Sequence, residues 1–143
     1  MIVEKVQVNR IRPLRNLVLR PNLPIESTFY DLDEGKDTFH LASLINGEII
    51  SIGTFYPEND SEIKTKNAYR LRGMATHPDF RRLSAASKLM IKSFNMLKEK
   101  KCDFLWCNAR LAAVEFYKSL DFKIIGPEFD IPGIGPHFKM YKK

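Results

Sequence analysis

The residues with the clearest chemistry in this 143-residue chain run from Leu71 to Ala86, through Pro78, Arg81, Arg82 and Ser84. The segment reads as a strand that turns past a proline and two arginines into a helix beginning near Leu83. Ser84, Ala85, Ala86 and Ser87 then fill the helix's first turn. Small side chains there leave the N–H groups of residues 82 to 87 open to an anion, because a helix start has no intrahelical acceptor for them. Arg81 and Arg82 add two guanidiniums whose fork matches phosphate oxygens. The chemistry indicated is phosphate binding. A plain helix start flanked by two solvated arginines is the alternative, and spacing alone does not choose between them.

Other reactive side chains are scattered. Tyr117 lies on an apolar stripe with Ala113, Phe116 and Leu120, where packing is the ordinary role. Asn108 stands where it can cap the helix carrying that stripe. Arg70 and Arg72 alternate onto one strand face, and with Arg110 they could receive a substrate carboxylate. Solvated or internally paired arginines explain them equally well. His40, His77 and His137 are isolated, and a lone histidine is more often structural than catalytic. Cys102 and Cys107 are five apart in one expected strand, on opposite faces, so they neither pair nor share a metal. Two reduced, buried thiols suit a cytoplasmic protein.

The elements that must position these groups follow from the pattern. Residues 2–8 suit a first strand. Pro13 suits the first turn of a short helix bearing Leu14, Leu17 and Val18, which Pro21 ends. Residues 21–36 make a long, acid-rich loop or partly helical flap, and such loops are often functional lids. Strands 38–46 and 48–56 flank Asn46-Gly47, the strongest hairpin signal in the chain. A polar turn at 57–67 leads to strand 69–76, in which Leu71, Gly73 and Ala75 oppose Arg70, Arg72, Met74 and Thr76. The helix at 83–100 turns Ala86, Leu89, Met90, Ser93 and Leu97 inward. Then come strand 102–107, the Tyr117 helix, and closing strands 122–129 and 136–142. The helix at 83–100 makes the strands on either side of it parallel and adjacent. The expected class is α/β, a mixed sheet with helices on both faces.

Bulk properties set limits. The length fits one domain spanning 1–143. No apolar run is long enough for a membrane span, and the N-terminus lacks a secretory pattern. A net charge of +6 favours an anionic ligand. The basic residues are spread out and not interleaved with aromatics, which argues against nucleic acid. Exposed strands near the C-terminus suit a homodimer.

Arg81-Arg82-Leu83-Ser84-Ala85-Ala86 resembles the Arg/Gln-x-x-Gly-x-Gly/Ala motif of the GCN5-related N-acetyltransferases (GNAT). Arg72-Gly73-Met74-Ala75-Thr76-His77-Pro78 is similar to that family's preceding strand. Trp106-Cys107-Asn108-Ala109-Arg110, Phe116-Tyr117 and Leu120-Asp121-Phe122 resemble its next strand and helix. The ending, from Gly126 through Gly133-Ile134-Gly135-Pro136-His137 to Met140, looks like one branch of small bacterial members. One departure is Ser84, where the pattern has glycine.

The resemblance implies a GNAT-like acyl-CoA N-acyltransferase fold and transfer of acetyl from acetyl-CoA to the primary amine of a small molecule, with no metal. It places the diphosphate on Arg81, Arg82, Leu83, Ser84, Ala85, Ala86 and Ser87. The cofactor's arm then runs along Met74, Ala75 and Thr76 like an added strand, where the latter strand splays from 102–107. The Met74 N–H would polarise the thioester carbonyl. Asn108 would bond the arm, and Tyr117 would protonate the departing thiolate. Arg72, Arg110 and His137 are the substrate-side candidates. No general base is evident: His137, Glu26 or other acids of the flap, and a water chain all remain open. A non-catalytic acyl-CoA sensing module of the same fold is the second reading.

Overall fold

Asn46 and Gly47 both adopt left-handed backbone (φ 50° and 82°), the requirement of a tight two-residue hairpin turn. They join β2 (Phe39–Ile45) to β3 (Glu48–Pro57), paired antiparallel with an irregularity between Ser43 and Leu44. The computed structural model describes residues 1–143. The remaining elements, in chain order, are β1 (Ile2–Val6), α1 (Val8–Leu19), β4 (Ala68–Thr76), α2 (Ala85–Glu99), β5 (Phe104–Arg110), α3 (Val114–Ser119), β6 (Lys123–Ile131) and β7 (Gly135–Lys142). Short 3₁₀ turns stand at Ile25–Thr28, Pro78–Phe80 and Leu111–Ala113. The strands form one seven-stranded mixed sheet in the order β1-β2-β3-β4-β5-β7-β6.

The chain packs as two compact units, Met1–Pro57 with Leu71–Lys101, and Glu58–Arg70 with Cys102–Lys143. In the first unit, β1 pairs antiparallel with β2. A core forms from Ile11 and Leu14 of α1 against Ala42, Leu44, Ile52 and Ala75. Leu89, Met90, Ser93 and Leu97 of α2 are buried as the helical spacing predicts. In the second unit, β4 and β5 run parallel over Ala68↔Phe104, Tyr69↔Leu105 and Arg70↔Trp106, as the crossover rule requires. Both strands continue beyond these pairs, to Thr76 and Arg110. β7 pairs antiparallel with β5 and β6.

Four local expectations need correction. Helix α1 starts at Val8, so Pro13 sits inside it and not in its first turn, and Leu17 faces solvent. Helix α2 starts at Ala85, two residues after Leu83, and buries Ala85 in place of Ala86. Strand β5 runs on through Asn108, which therefore caps no helix; Cys102 precedes the strand and is only half-buried. The alternation in β4 breaks at Gly73, whose φ is +69°. Leu71 and Met74 both reach Gly53 on the side where Leu89 of α2 packs. Ala75 joins the α1 core instead. Left-handed backbone at one residue shifts the strand's phase in the manner of a bulge. Glycine takes this φ without strain, and a Cβ at position 73 would stand a tight 3.1 Å from both Arg15 Nε and the Tyr30 ring.

Candidate functional site

Between β4 and α2 the backbone turns left-handed twice, at Arg82 (φ 65°) and at Ser84 (φ 62°), the N-cap residue of α2. The first intrahelical bond is donated by the Lys88 N–H to the Ser84 carbonyl at 3.0 Å. The N–H groups of Ala85, Ala86 and Ser87 thus precede it and have no acceptor within the helix. Alternating handedness next to a helix start makes a concave set of N–H donors, the geometry that holds phosphate. Arg81, Arg82, Leu83 and Ser84 are exposed. Ser84 occupies, with a Cβ, a conformation that glycine adopts without strain.

The turn entering this loop is fixed from behind. His77 donates its backbone N–H to the Ile50 carbonyl at 2.8 Å, and its ring Nδ1 accepts the Asp79 N–H at 3.1 Å. His77 is a turn-capping residue. Ser51 Oγ donates to the Ala75 carbonyl at 3.2 Å and lies 3.1 Å from Thr76 Oγ1, which ties the end of β4 to β3.

The same unit contains a buried ionic cluster that sequence reading missed. Arg15 is fully buried and donates Nη1 and Nη2 to the two Asp33 carboxylate oxygens, at 2.7 and 2.8 Å. It also donates to the Thr28 carbonyl at 2.6 Å and to Thr54 Oγ1 at 2.7 Å. Thr54 in turn faces His40 Nδ1 at 2.8 Å, and His40 Nε2 faces the Asp33 carbonyl at 2.9 Å. A carbonyl can only accept, so Nε2 carries the ring proton and Nδ1 accepts from the threonine. Burial holds His40 below the usual histidine value, hence neutral at pH 7. Burial works to raise Asp33, but hydrogen bonds from Arg15 and the Tyr30 N–H outweigh it and hold the carboxyl below the ordinary range. Neither His40 nor Asp33 is available as a base. The one advance signal was a charged residue on the apolar stripe of Ile11, Leu14 and Val18.

Arg70 and Arg72 have separate partners. Arg70 pairs with Glu58 at 2.9 Å and lies over the Trp106 ring. Arg72 stacks on Tyr30, its guanidinium carbon 4.0 Å from the ring centroid.

In the second unit, Tyr117 is buried beside the Cys107 thiol. Burial, with the thiol beside it, pushes the phenol well above its ordinary value. Burial likewise pushes the Cys107 thiol up to about 12. Both groups keep their protons at neutral pH, and Phe116 and Phe122 hold the Tyr117 ring. Cys107 could be read from the sequence as a buried thiol, but not as the neighbour of Tyr117. Asn108 is half-buried, and its Oδ1 is buried with no donor reaching it. Buried acceptors are almost always satisfied, by protein groups or by ordered water. His137 is buried, donates Nδ1–H to the Gly135 carbonyl at 2.8 Å and stacks near Phe129; Arg110 is exposed.

Residues 8–122 match the acetyltransferase (GNAT) family profile. The chain is 39% identical over 140 residues to the uncharacterized N-acetyltransferase YitI of Bacillus subtilis (strain 168), covering 98% of this chain and 94% of that one. It belongs to the GNAT family.

Two solved structures show the same fold at low identity. Escherichia coli ElaA superposes with a TM-score of 0.80 at 17% identity over the full length of both chains. An aminoglycoside 6'-N-acetyltransferase complexed with coenzyme A gives 0.74 at 14% identity, covering 99% of this chain and 96% of that one. This GNAT member is an N-acetyltransferase whose co-substrate is acetyl-CoA. No helix of the chain is long and apolar enough to cross a membrane.

Proposed function

We propose that this GNAT acetyltransferase moves acetyl directly from acetyl-CoA to a primary amine of a small molecule in the cytoplasm. The observation that carries the reading is the left-handed pair Arg82 and Ser84 at the start of α2. A doubly charged diphosphate is the ligand that such a set of N–H groups and two flanking guanidiniums suits best. The family resemblance gives the arm of acetyl-CoA to the backbone of Met74, Ala75 and Thr76, and the thioester carbonyl to the Met74 N–H. The displaced phase of β4 after Gly73 supports that role, because it changes where the 74–76 backbone groups point.

Asn108 supplies an acceptor for the arm: its unsatisfied Oδ1 fits an amide N–H of pantetheine. Tyr117 supplies the proton for the departing thiolate. Its protonated state fits a general acid. Arg110 and His137 remain on the substrate side, the former free in solvent and the latter through its buried ring. Water serves as the route for the amine's proton, since the buried carboxylate and imidazole of the first unit are committed to each other's neighbours.

The test is release of free coenzyme A thiol from acetyl-CoA across a panel of small primary amines. Turnover with at least one amine, dependent on Tyr117, is the expected result. Tight acetyl-CoA binding with no thiol release from any amine would instead make the chain an acyl-CoA sensor, the reading that the serine at position 84 favours.

A further inference from the structure

Tyr30 carries a guanidinium on each face. The Arg15 guanidinium carbon is 3.8 Å from the ring centroid and that of Arg72 is 4.0 Å away. One face cannot hold both at such distances, so the ring is sandwiched. The side chains differ in what else they do. Arg15 is buried and spends Nη1 and Nη2 on Asp33, Thr28 and Thr54. Arg72 is half-buried, and no carboxylate or carbonyl of the chain accepts from it.

Arg12, Arg15 and Arg72 gather at the flap aromatics Phe29 and Tyr30, and Asp33 is the carboxylate that pairs with the first two, 3.4 Å from Arg12 and 2.7 Å from Arg15. The Nε atoms of Arg12 and Arg15 are buried without an acceptor. A stacked guanidinium keeps its N–H edge free and its plane fixed, the arrangement that binds a carboxylate in bidentate fashion.

We propose that Arg72, positioned by Tyr30, receives the carboxylate of the acceptor, so that the substrates are small primary amines that also carry a carboxylate. This inference rests on the reading above, which places the thioester at Met74. Position 72 lies two residues from Met74, on the other side of the left-handed Gly73, within the roughly 7 Å that two extended residues would span. An amino acid or short amino acid derivative spans that interval, with its amine towards the acetyl group and its carboxylate on the guanidinium. Tyr30 is a positioning residue: it holds the plane of Arg72 and need not touch the substrate.

The experiment begins with calorimetric titration of acetyl-CoA into the wild type, Arg72→Gln and Arg72→Lys. Thiol release is then measured on matched pairs of primary amines, each carboxylate set beside its carboxamide. The carboxylates are expected to be favoured at least tenfold in kcat/KM, mainly through KM. Arg72→Gln erases the preference while acetyl-CoA still binds, which also shows the variant to be folded. Arg72→Lys keeps the charge but loses the fork, and restores part of the preference. Equal or better turnover of the carboxamides, or a preference that survives in Arg72→Gln, overturns the inference while leaving the enzyme an acetyltransferase. Absence of acetyl-CoA binding by the wild type removes the underlying reading, and this one with it.

Discussion

Two regions of the first unit deal with negative charge in opposite ways. The loop from Arg81 to Ser87 offers backbone N–H groups at the start of α2, with the side chains of Arg81 to Ser84 in solvent. The cluster around Arg15 holds the Asp33 carboxylate chiefly through a buried guanidinium, with the Tyr30 N–H and Arg12 beside it. A site built from backbone survives changes of residue type provided the chain can still adopt its φ and ψ. Ser84 illustrates this, standing in left-handed backbone where the family pattern has glycine. A site built from buried side chains has no such latitude, because removing one partner strands the other.

The largest effect tests the buried side. Asp33→Ala leaves the Arg15 guanidinium charged, buried and without its carboxylate, and is expected to destabilise the fold by about 3–5 kcal/mol. Urea unfolding monitored by circular dichroism measures it. The pH dependence has a definite sign. His40 is depressed below its ordinary 6.5, so the unfolded chain binds a proton first and stability falls as pH drops through 6.5. Asp33 is held below 3.8, and its contribution is lost as pH drops further through that value. A flat unfolding midpoint from pH 7 to pH 3 would contradict the network as described.

Tyr117→Phe comes next. It keeps the packing against Phe116 and Phe122 and removes only the hydroxyl, so kcat should fall about 100-fold or more with little change in acetyl-CoA affinity. An unchanged kcat would return Tyr117 to a packing role. Asn108→Ala separates stability from binding more finely. Because its Oδ1 has no partner in the chain, the variant should unfold at nearly the same urea concentration, yet bind acetyl-CoA about tenfold more weakly. Loss of stability without loss of affinity would show the asparagine to be structural.

The smallest effect is on the backbone side. Ser84→Gly relieves left-handed strain but frees the unfolded chain, and the net gain should be at most about 1 kcal/mol. Acetyl-CoA affinity should rise severalfold as the cradle opens. A large loss of affinity would mean that the serine hydroxyl itself holds the phosphate.

The same contrast explains what could be read in advance. The order of strands and helices, the parallel pairing of β4 with β5 and the hairpin at Asn46-Gly47 were legible because each rests on local pattern or chain connectivity. The turn from β4 into α2 was legible because a run of small residues after two arginines is contiguous. The Arg15 cluster was not: its members lie at 15, 28, 33, 40 and 54, and only the folded flap brings them together. The phase change at Gly73 was equally hidden, since alternation assumes that every residue of a strand has negative φ. Asn108 was misplaced by the same kind of assumption, as a strand ending at 107 leaves it free to cap, whereas β5 runs to Arg110.

The central claim is that backbone donors at the start of α2 hold the diphosphate of acetyl-CoA. The most direct measurement is a pair of calorimetric titrations, acetyl-CoA against S-acetylpantetheine, which shares the thioester arm but lacks the diphosphate. The account predicts one site per chain and binding at least 100-fold tighter for acetyl-CoA. Equal affinity for the two thioesters, or no heat with either, would contradict it.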